Sequence, residues 1–133
     1  MSTGLLNIGE AANASGVSAK MIRHYEAAGL IPAPGRSLAG YRRYSERDVH
    51  RLRFIRAARD LGFSIKQIDE LLSLWQDTHR PSSKVKQLAE QHAAVLAQKI
   101  LALQKMQAEL ETLARACHGD ARPDCPILDR LAQ

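Results

Sequence analysis

The apolar positions Val85, Leu88, Val95, Leu96, Ile100, Leu103, Met106, Leu110 and Leu113 recur by threes and fours, and neither Gly nor Pro interrupts them. That is the period of one helix face. It predicts a single helix that opens at Ser82 or Ser83, just past Pro81, and runs to about Ala116. Such a helix is on the order of 45 Å long at 1.5 Å per residue. A chain this small cannot cover so long a stripe by itself. An antiparallel pairing with a second copy is the simplest solution, since most soluble oligomers are symmetric dimers. His92 and Lys99 break the stripe and read as polar positions that fix its register.

Upstream of Pro81 the periods are shorter. In NIGEAANASGVSAKMIRHYEAAGL a helix over about Ile8–Ala14 stops at Ser15-Gly16, Val17 lies in the turn, and Ser18 is the N-cap of a second helix. Two short helices joined by a Gly-containing turn of this length make a helix-turn-helix. In the second helix Met21 and Ile22, with Leu30 beyond it, are available to pack. Lys20, Arg23, His24 and Tyr25 are expected to point outward at a spacing that a DNA major groove accepts. In PAPGRSLAGYRRYS the residues Pro32, Pro34, Gly35 and Gly40 forbid helix, and GYRRY alternates aromatic and basic side chains as the edge of a hairpin does. This reads as a wing, with Arg36, Arg42 and Arg43 toward phosphates and Tyr41 and Tyr44 on the sugar-phosphate edge or beneath the hairpin. Ser45 and Asp48 form a capping-box pattern for a helix to about Leu61 with Val49, Leu52, Phe54, Ile55 and Ala58 as its apolar positions. After Gly62, Ser64 caps a helix to about Asp77 whose apolar face is Ile65, Ile68, Leu71, Leu72 and Trp75, with Trp75 expected in the core.

Composition changes this picture where the charge divides. Of the net charge of +5, residues 1–60 hold ten Lys/Arg against five Asp/Glu, and residues 61–133 hold nine against nine. All the excess lies in the half that carries the helix-turn-helix, which points to a polyanionic partner for that half. Arg47, Arg51, Arg53, Arg56 and Arg59 exceed what solubility requires, and some of them are expected to touch the DNA backbone. No apolar run approaches the ~20 residues that span a bilayer. Met1–Glu10 has neither the basic start nor the long apolar stretch of a signal peptide. A cytoplasmic location with no membrane partner is therefore expected.

Only two cysteines occur, Cys117 and Cys125, on either side of HGDARPD. Cytoplasmic thiols stay reduced, so the pair reads as metal ligands or redox groups rather than a bridge. Two thiolates without a third cysteine suit a soft ion that accepts two-coordinate binding, Cu(I), Ag(I) or Au(I). Structural zinc normally takes four ligands, though His118, Asp124 or a second subunit could add groups. A thiol–disulfide switch across the pair would answer to oxidant instead. Cys117 ends the long helix, Gly119-Asp120 turns the chain, and Asp124-Cys125-Pro126 begins a short helix ILDRL in which Ile127 and Leu128 could close an apolar lid. Nothing in the chain suggests an enzyme, because a Gly-rich phosphate loop and paired catalytic groups with a plausible cleft are missing. A metal-storage module would leave the basic half without a purpose.

Taken together, AANASGVSAKMIRHYEAAGLIP, GYRRY, RAARDLGFS, the long helix and the terminal cysteine loop resemble the MerR family of bacterial transcription activators. The resemblance runs from Asn7 to about Leu131, with Met1–Leu6 preceding the family's usual start. Two cysteines separated by seven residues and followed by Pro-Ile-Leu are similar to the CueR-like copper- and gold-responsive branch. The resemblance implies a mainly α fold with a winged helix-turn-helix DNA-binding domain and its linking helices over residues 1–76. A long antiparallel coiled-coil dimerisation helix follows over 77–116, and a short metal-binding loop and C-terminal helix over 117–133. It implies a homodimer on double-stranded promoter DNA that, on binding Cu(I), or Ag(I) or Au(I), through Cys117 and Cys125, distorts an overlong promoter spacer. RNA polymerase then uses both promoter elements and metal efflux or detoxification genes are switched on. Lys20, Arg23 and Tyr25 match DNA-contacting positions of the family's recognition helix, and Arg36, Tyr41 and Arg42 match its wing. Ser82 of the partner subunit matches a residue that lies over the metal loop. His118 and Pro123 differ from some copper sensors, which keeps a gold-selective regulator open; a zinc- or redox-sensing regulator of the same family is the other alternative. The Cys- and His-rich tail of some copper members does not occur up to Gln133, which leaves the loop as the evident thiol site.

Overall fold

In the computed structural model, residues 5–32, 35–36 and 42–133 are described. They form α1 (Ile8–Ser15), α2 (Ala19–Ala27), β1 (Gly35–Arg36), β2 (Arg42–Arg43), α3 (Glu46–Asp60), α4 (Ile65–Gln76), α5 (Ser82–Ala116) and α6 (Pro126–Leu131). The chain divides into two compact units, residues 1–85 and 86–133. No described helix is long and apolar enough to cross a membrane.

Short polar side chains set the helix starts. Asn7 and Glu10 exchange side-chain and backbone hydrogen bonds at 2.8 and 3.0 Å. Ser45 with Asp48 and Ser64 with Gln67 do the same at 2.8–3.2 Å. Ser18 accepts from the Met21 N–H at 3.2 Å. Each cap satisfies backbone donors that the first helical turn leaves without partners. At the end of α1, Gly16 adopts φ 75° and its N–H donates to the Ala12 carbonyl, the left-handed stop that lets α2 begin three residues later.

The first unit has one core. Tyr44, Ile22, Leu52, Ile55 and Ile68 are its largest fully buried side chains, with Ala11, Val17, Tyr25, Leu30, Ile31, Val49 and Leu72 around them. Burying each large aliphatic contributes on the order of 1.5–3 kcal/mol. In α3, Val49, Leu52, Ile55 and Ala58 face inward, and α3 packs against both α1 and α4. The hairpin is antiparallel, with Gly35 opposite Arg43 and Arg36 opposite Arg42. Leu6 forms a bridge with Tyr44, each N–H donating to the other's carbonyl at 2.7 Å. Leu6 thus belongs to the fold and does not merely precede it.

Trp75 corrects an expectation. It is 44% exposed and stacks on Phe54 with ring centroids 4.6 Å apart and planes 10° from parallel. It lies on the same side of α4 as Ile68 and Leu72, but at the last turn, where the apolar face of α4 outruns the buried core and rests on Phe54. On α5, Val85, Leu88 and Leu113 are half-buried, while Val95, Leu96, Ile100, Leu103, Met106 and Leu110 are exposed in the single chain. His92 is buried among them in sequence, 6% exposed.

At Gly16 an added Cβ would lie 1.9 Å from Arg56 Nη1 on a backbone of positive φ. Gly16→Ala is expected to lower stability by on the order of 1–2 kcal/mol, read as a reduced melting temperature with the helical circular-dichroism signal retained.

Candidate DNA-binding face and thiol loop

The exposed side of α2 carries Lys20, Arg23 and His24, while Ile22 and Tyr25 are buried. The outward placement expected for Tyr25 is therefore corrected. Position 25 stands three residues after Ile22, on the same helix face, and its ring is 4% exposed in the core. In the hairpin, positions 36 and 42 face each other across the two strands. Tyr41 lies outside the described residues. Tyr44 takes the position beneath the hairpin: it is fully buried, and its hydroxyl donates to the Glu26 carboxylate on α2. The base of the wing and the recognition helix are thereby fastened together.

Three of the five arginines of α3 spend donors on the protein itself. Arg53 Nε donates to the Ala14 carbonyl at 3.0 Å and Arg59 Nη1 to the Phe63 carbonyl at 3.3 Å. With the Gln76 amide turned so that its oxygen faces α3, that oxygen accepts from Arg51. Arg56 lies over Gly16. These side chains brace the helix ends of the DNA-binding unit; spacing in the sequence did not signal the Arg53 brace, because its partner is the backbone carbonyl of a distant segment. Arg47 is exposed beside His50 on the outer side of α3.

The thiol loop is built at the other end of the chain. Cys117 directly follows α5, and its N–H donates to the carbonyls of Leu113 and Ala114 at 3.1 and 3.2 Å. Gly119, at φ 68°, reverses the chain. Cys125 is the residue before α6, with Pro126 in the first turn; its side chain makes no capping bond, and its carbonyl accepts from the Asp129 N–H at 3.0 Å. Both thiols are free and partly buried. Between them the Arg122 guanidinium closes on both carboxylate oxygens of Asp120, and this pairing, followed by the Arg122 backbone N–H, holds the Asp120 carboxyl below its usual range. The tie is therefore complete above the ordinary carboxylate pKa and is lost only as pH falls through the lowered value.

α6 lies along the end of α5. Ile127 and Leu131 line an apolar groove with Met106, Leu110 and Leu113, and Arg130 Nε meets Glu109 Oε1 at 2.6 Å. Leu128 faces outward, 65% exposed, so Ile127 alone of the expected lid pair turns toward α5. Among the described residues no three His, Cys, Asp or Glu side chains converge to hold a metal ion. His118 and Asp124 are exposed. The donor set that one chain offers at the loop is two sulfurs, which fits a soft, low-coordinate ion and falls short of a four-ligand zinc shell. Ser82 opens α5 and is exposed.

Two family profiles match this sequence, one described as MerR HTH family regulatory protein over residues 6–75 and one as MerR, DNA binding, over residues 49–113. The HTH-type transcriptional regulator HmrR of Sinorhizobium medicae is 57% identical over 128 residues, covering 96% of this chain and 87% of that protein. The HTH-type transcriptional regulator CueR of Escherichia coli is 39% identical over 127 residues, covering 96% and 94%. Among solved structures, a transcription regulator from Ralstonia metallidurans in complex with lead(II) superposes with a TM-score of 0.81 at 32% identity, covering 95% of this chain and 98% of that one.

The burial pattern of α2 separates two kinds of variant. Tyr25→Ala is expected to cost about 3–5 kcal/mol, as for other buried aromatics, whereas Arg23→Ala should change stability by no more than about 0.5 kcal/mol. Thermal melts of the two variants check this.

Proposed function

Since the chain belongs to the MerR family of helix-turn-helix transcription regulators, and is a metal-responsive regulator rather than an enzyme, we propose that its signal is a monovalent coinage-metal ion held by Cys117 and Cys125. Members of the family bind promoter DNA as homodimers and act there with RNA polymerase. Cu(I) is the proposed physiological ion, and Ag(I) and Au(I) suit the same two thiolates. The observation that carries the reading is the donor set: two free, partly buried thiols, one ending α5 and one preceding α6, with no third His, Cys, Asp or Glu converging on them among the described residues. Two thiolates and a singly charged ion leave a net charge of −1, which a partly buried site tolerates better than an undercoordinated divalent ion. The relationship to CueR supports the same branch.

The remaining parts are assigned with it. Residues 1–76 form the DNA-binding domain, 77–116 the dimerisation helix and 117–133 the metal-binding segment of a cytoplasmic regulator. Lys20 and Arg23 on the exposed side of α2, with Arg36, Tyr41 and Arg42 of the wing, contact the duplex. Tyr25, matched to a DNA-contacting position of the family, contributes by holding α2 against the core. Ser82 of the partner subunit lies over the thiol loop. The exposed stripe of α5 is the surface that the second copy covers. Ordering the loop around an ion favours the dimer arrangement in which the promoter is distorted, because a ligand shifts an equilibrium only by its different affinity for the two states.

X-ray absorption on protein loaded anaerobically with Cu(I), beside Cys117→Ser, tests the metal assignment. One ion per chain with two sulfur neighbours, lost in the variant, is expected; no retained Cu(I), or a four-ligand zinc shell, would overturn it. For the DNA face, Arg23→Ala should weaken duplex binding across sequences and lower the slope of log affinity against log salt by about 1. An unchanged slope would remove Arg23 from the phosphate contacts.

A further inference from the structure

The seven residues between the cysteines could, fully extended, separate the two thiols by roughly 25 Å at about 3.5 Å per residue. Chain length therefore does not bring them together. What shapes the segment is local: Gly119 turns the chain at φ 68°, and Asp120 and Arg122 then close on each other. The Arg122 backbone N–H donates to Asp120 Oδ1 at 2.9 Å, Arg122 Nε approaches Oδ1 and Oδ2 at 3.1 and 2.9 Å, and Nη2 lies 2.8 Å from Oδ2. A carboxylate that accepts from the backbone N–H two residues on forms a turn by itself. A guanidinium fork on the same two oxygens fixes that turn in one geometry. Both side chains are about half exposed, so the pair adds little to global stability.

We propose that Asp120 and Arg122 are positioning residues of the thiol site: their tie folds the tip of the loop in advance, so that binding an ion across Cys117 and Cys125 has less chain disorder to suppress. The inference rests on the metal reading above and adds to it a determinant of affinity that touches neither the ion nor the DNA. Ordering backbone costs free energy residue by residue, and a preformed turn meets that cost before the ligand arrives. The two residues act as a unit, and this separates their role from a simple field effect. If Arg122 acted only through its positive charge on a site of net charge −1, its removal would weaken binding, whereas removal of the negative Asp120 would strengthen it. A tie predicts loss in both cases.

The test uses the full-length reduced protein, with Cu(I) buffered by bathocuproine disulfonate, and compares wild type, Arg122→Ala, Asp120→Ala, the double variant and Arg122→Lys. Each single alanine variant is expected to weaken Cu(I) binding by roughly threefold to tenfold. The double variant should be no weaker than either, and Arg122→Lys, which keeps the charge without the fork, should recover only part of the loss. Melting temperature and apo duplex affinity should stay at wild-type values. Effects of opposite sign, additive effects, unchanged affinity, or losses that track a fall in melting temperature would each overturn the proposal while leaving the metal assignment in place. Failure of the wild type itself to retain Cu(I) would remove both.

Discussion

Tyr44 has no exposed surface, and its polar groups lead in two directions. Its backbone N–H and carbonyl pair with Leu6, ahead of α1, while its hydroxyl reaches Glu26 on α2. The strand that ends the wing is therefore bound both to the start of the chain and to the recognition helix. Around this point Ile22, Leu52, Ile55 and Ile68 complete a core small enough that every fully buried side chain matters. The arginine braces from α3 to Ala14 and Phe63 add fixed geometry at the helix ends. Basic side chains that read DNA need a rigid platform, since contacts to phosphates and base edges are set by geometry. The Leu6–Tyr44–Glu26 connection supplies that rigidity where wing and helix meet.

The second unit obeys the opposite logic. α5 exposes Val95, Ile100, Leu103, Met106 and Leu110, more apolar surface than a single helix keeps in water without a partner. Its stability is thus tied to the second copy of a homodimeric regulator. The thiol loop hangs from the end of this helix: Cys117 is bonded to its last turn, and Cys125 precedes α6, which α5 holds through the groove and the Glu109–Arg130 pair. Each thiol is consequently attached to a regular element, and only the short tip between them depends on local ties.

Much of this was legible in the sequence, for physical reasons. Caps and stops act through immediate neighbours, so Ser18, Ser45, Ser64 and Gly16 marked the helix limits to within about one residue, the scatter usual at helix ends. The helical period likewise announced α5, and two cysteines in a chain of this type announced the loop. Trp75 and Tyr25 were misplaced because periodicity tells which face a residue shares and not how far the neighbouring element extends. Trp75 lies on the correct face but beyond the end of the core; Tyr25 carries a polar group, yet stands in register with Ile22. For the α3 arginines the sequence leaves the role open, since a cation that braces a carbonyl is indistinguishable in sequence from one that awaits a phosphate.

By itself, then, the sequence determined the order and limits of the helices, the division of charge between two halves, the family and the identity of the two thiols, all of which depend on local chemistry or on motifs read along the chain. Only the tertiary structure decided that Tyr44 joins Leu6 and Glu26, that Arg53 braces the end of α1 and that Arg130 holds α6 to Glu109, because these are contacts between groups far apart along the chain, where which pairs meet is set by packing.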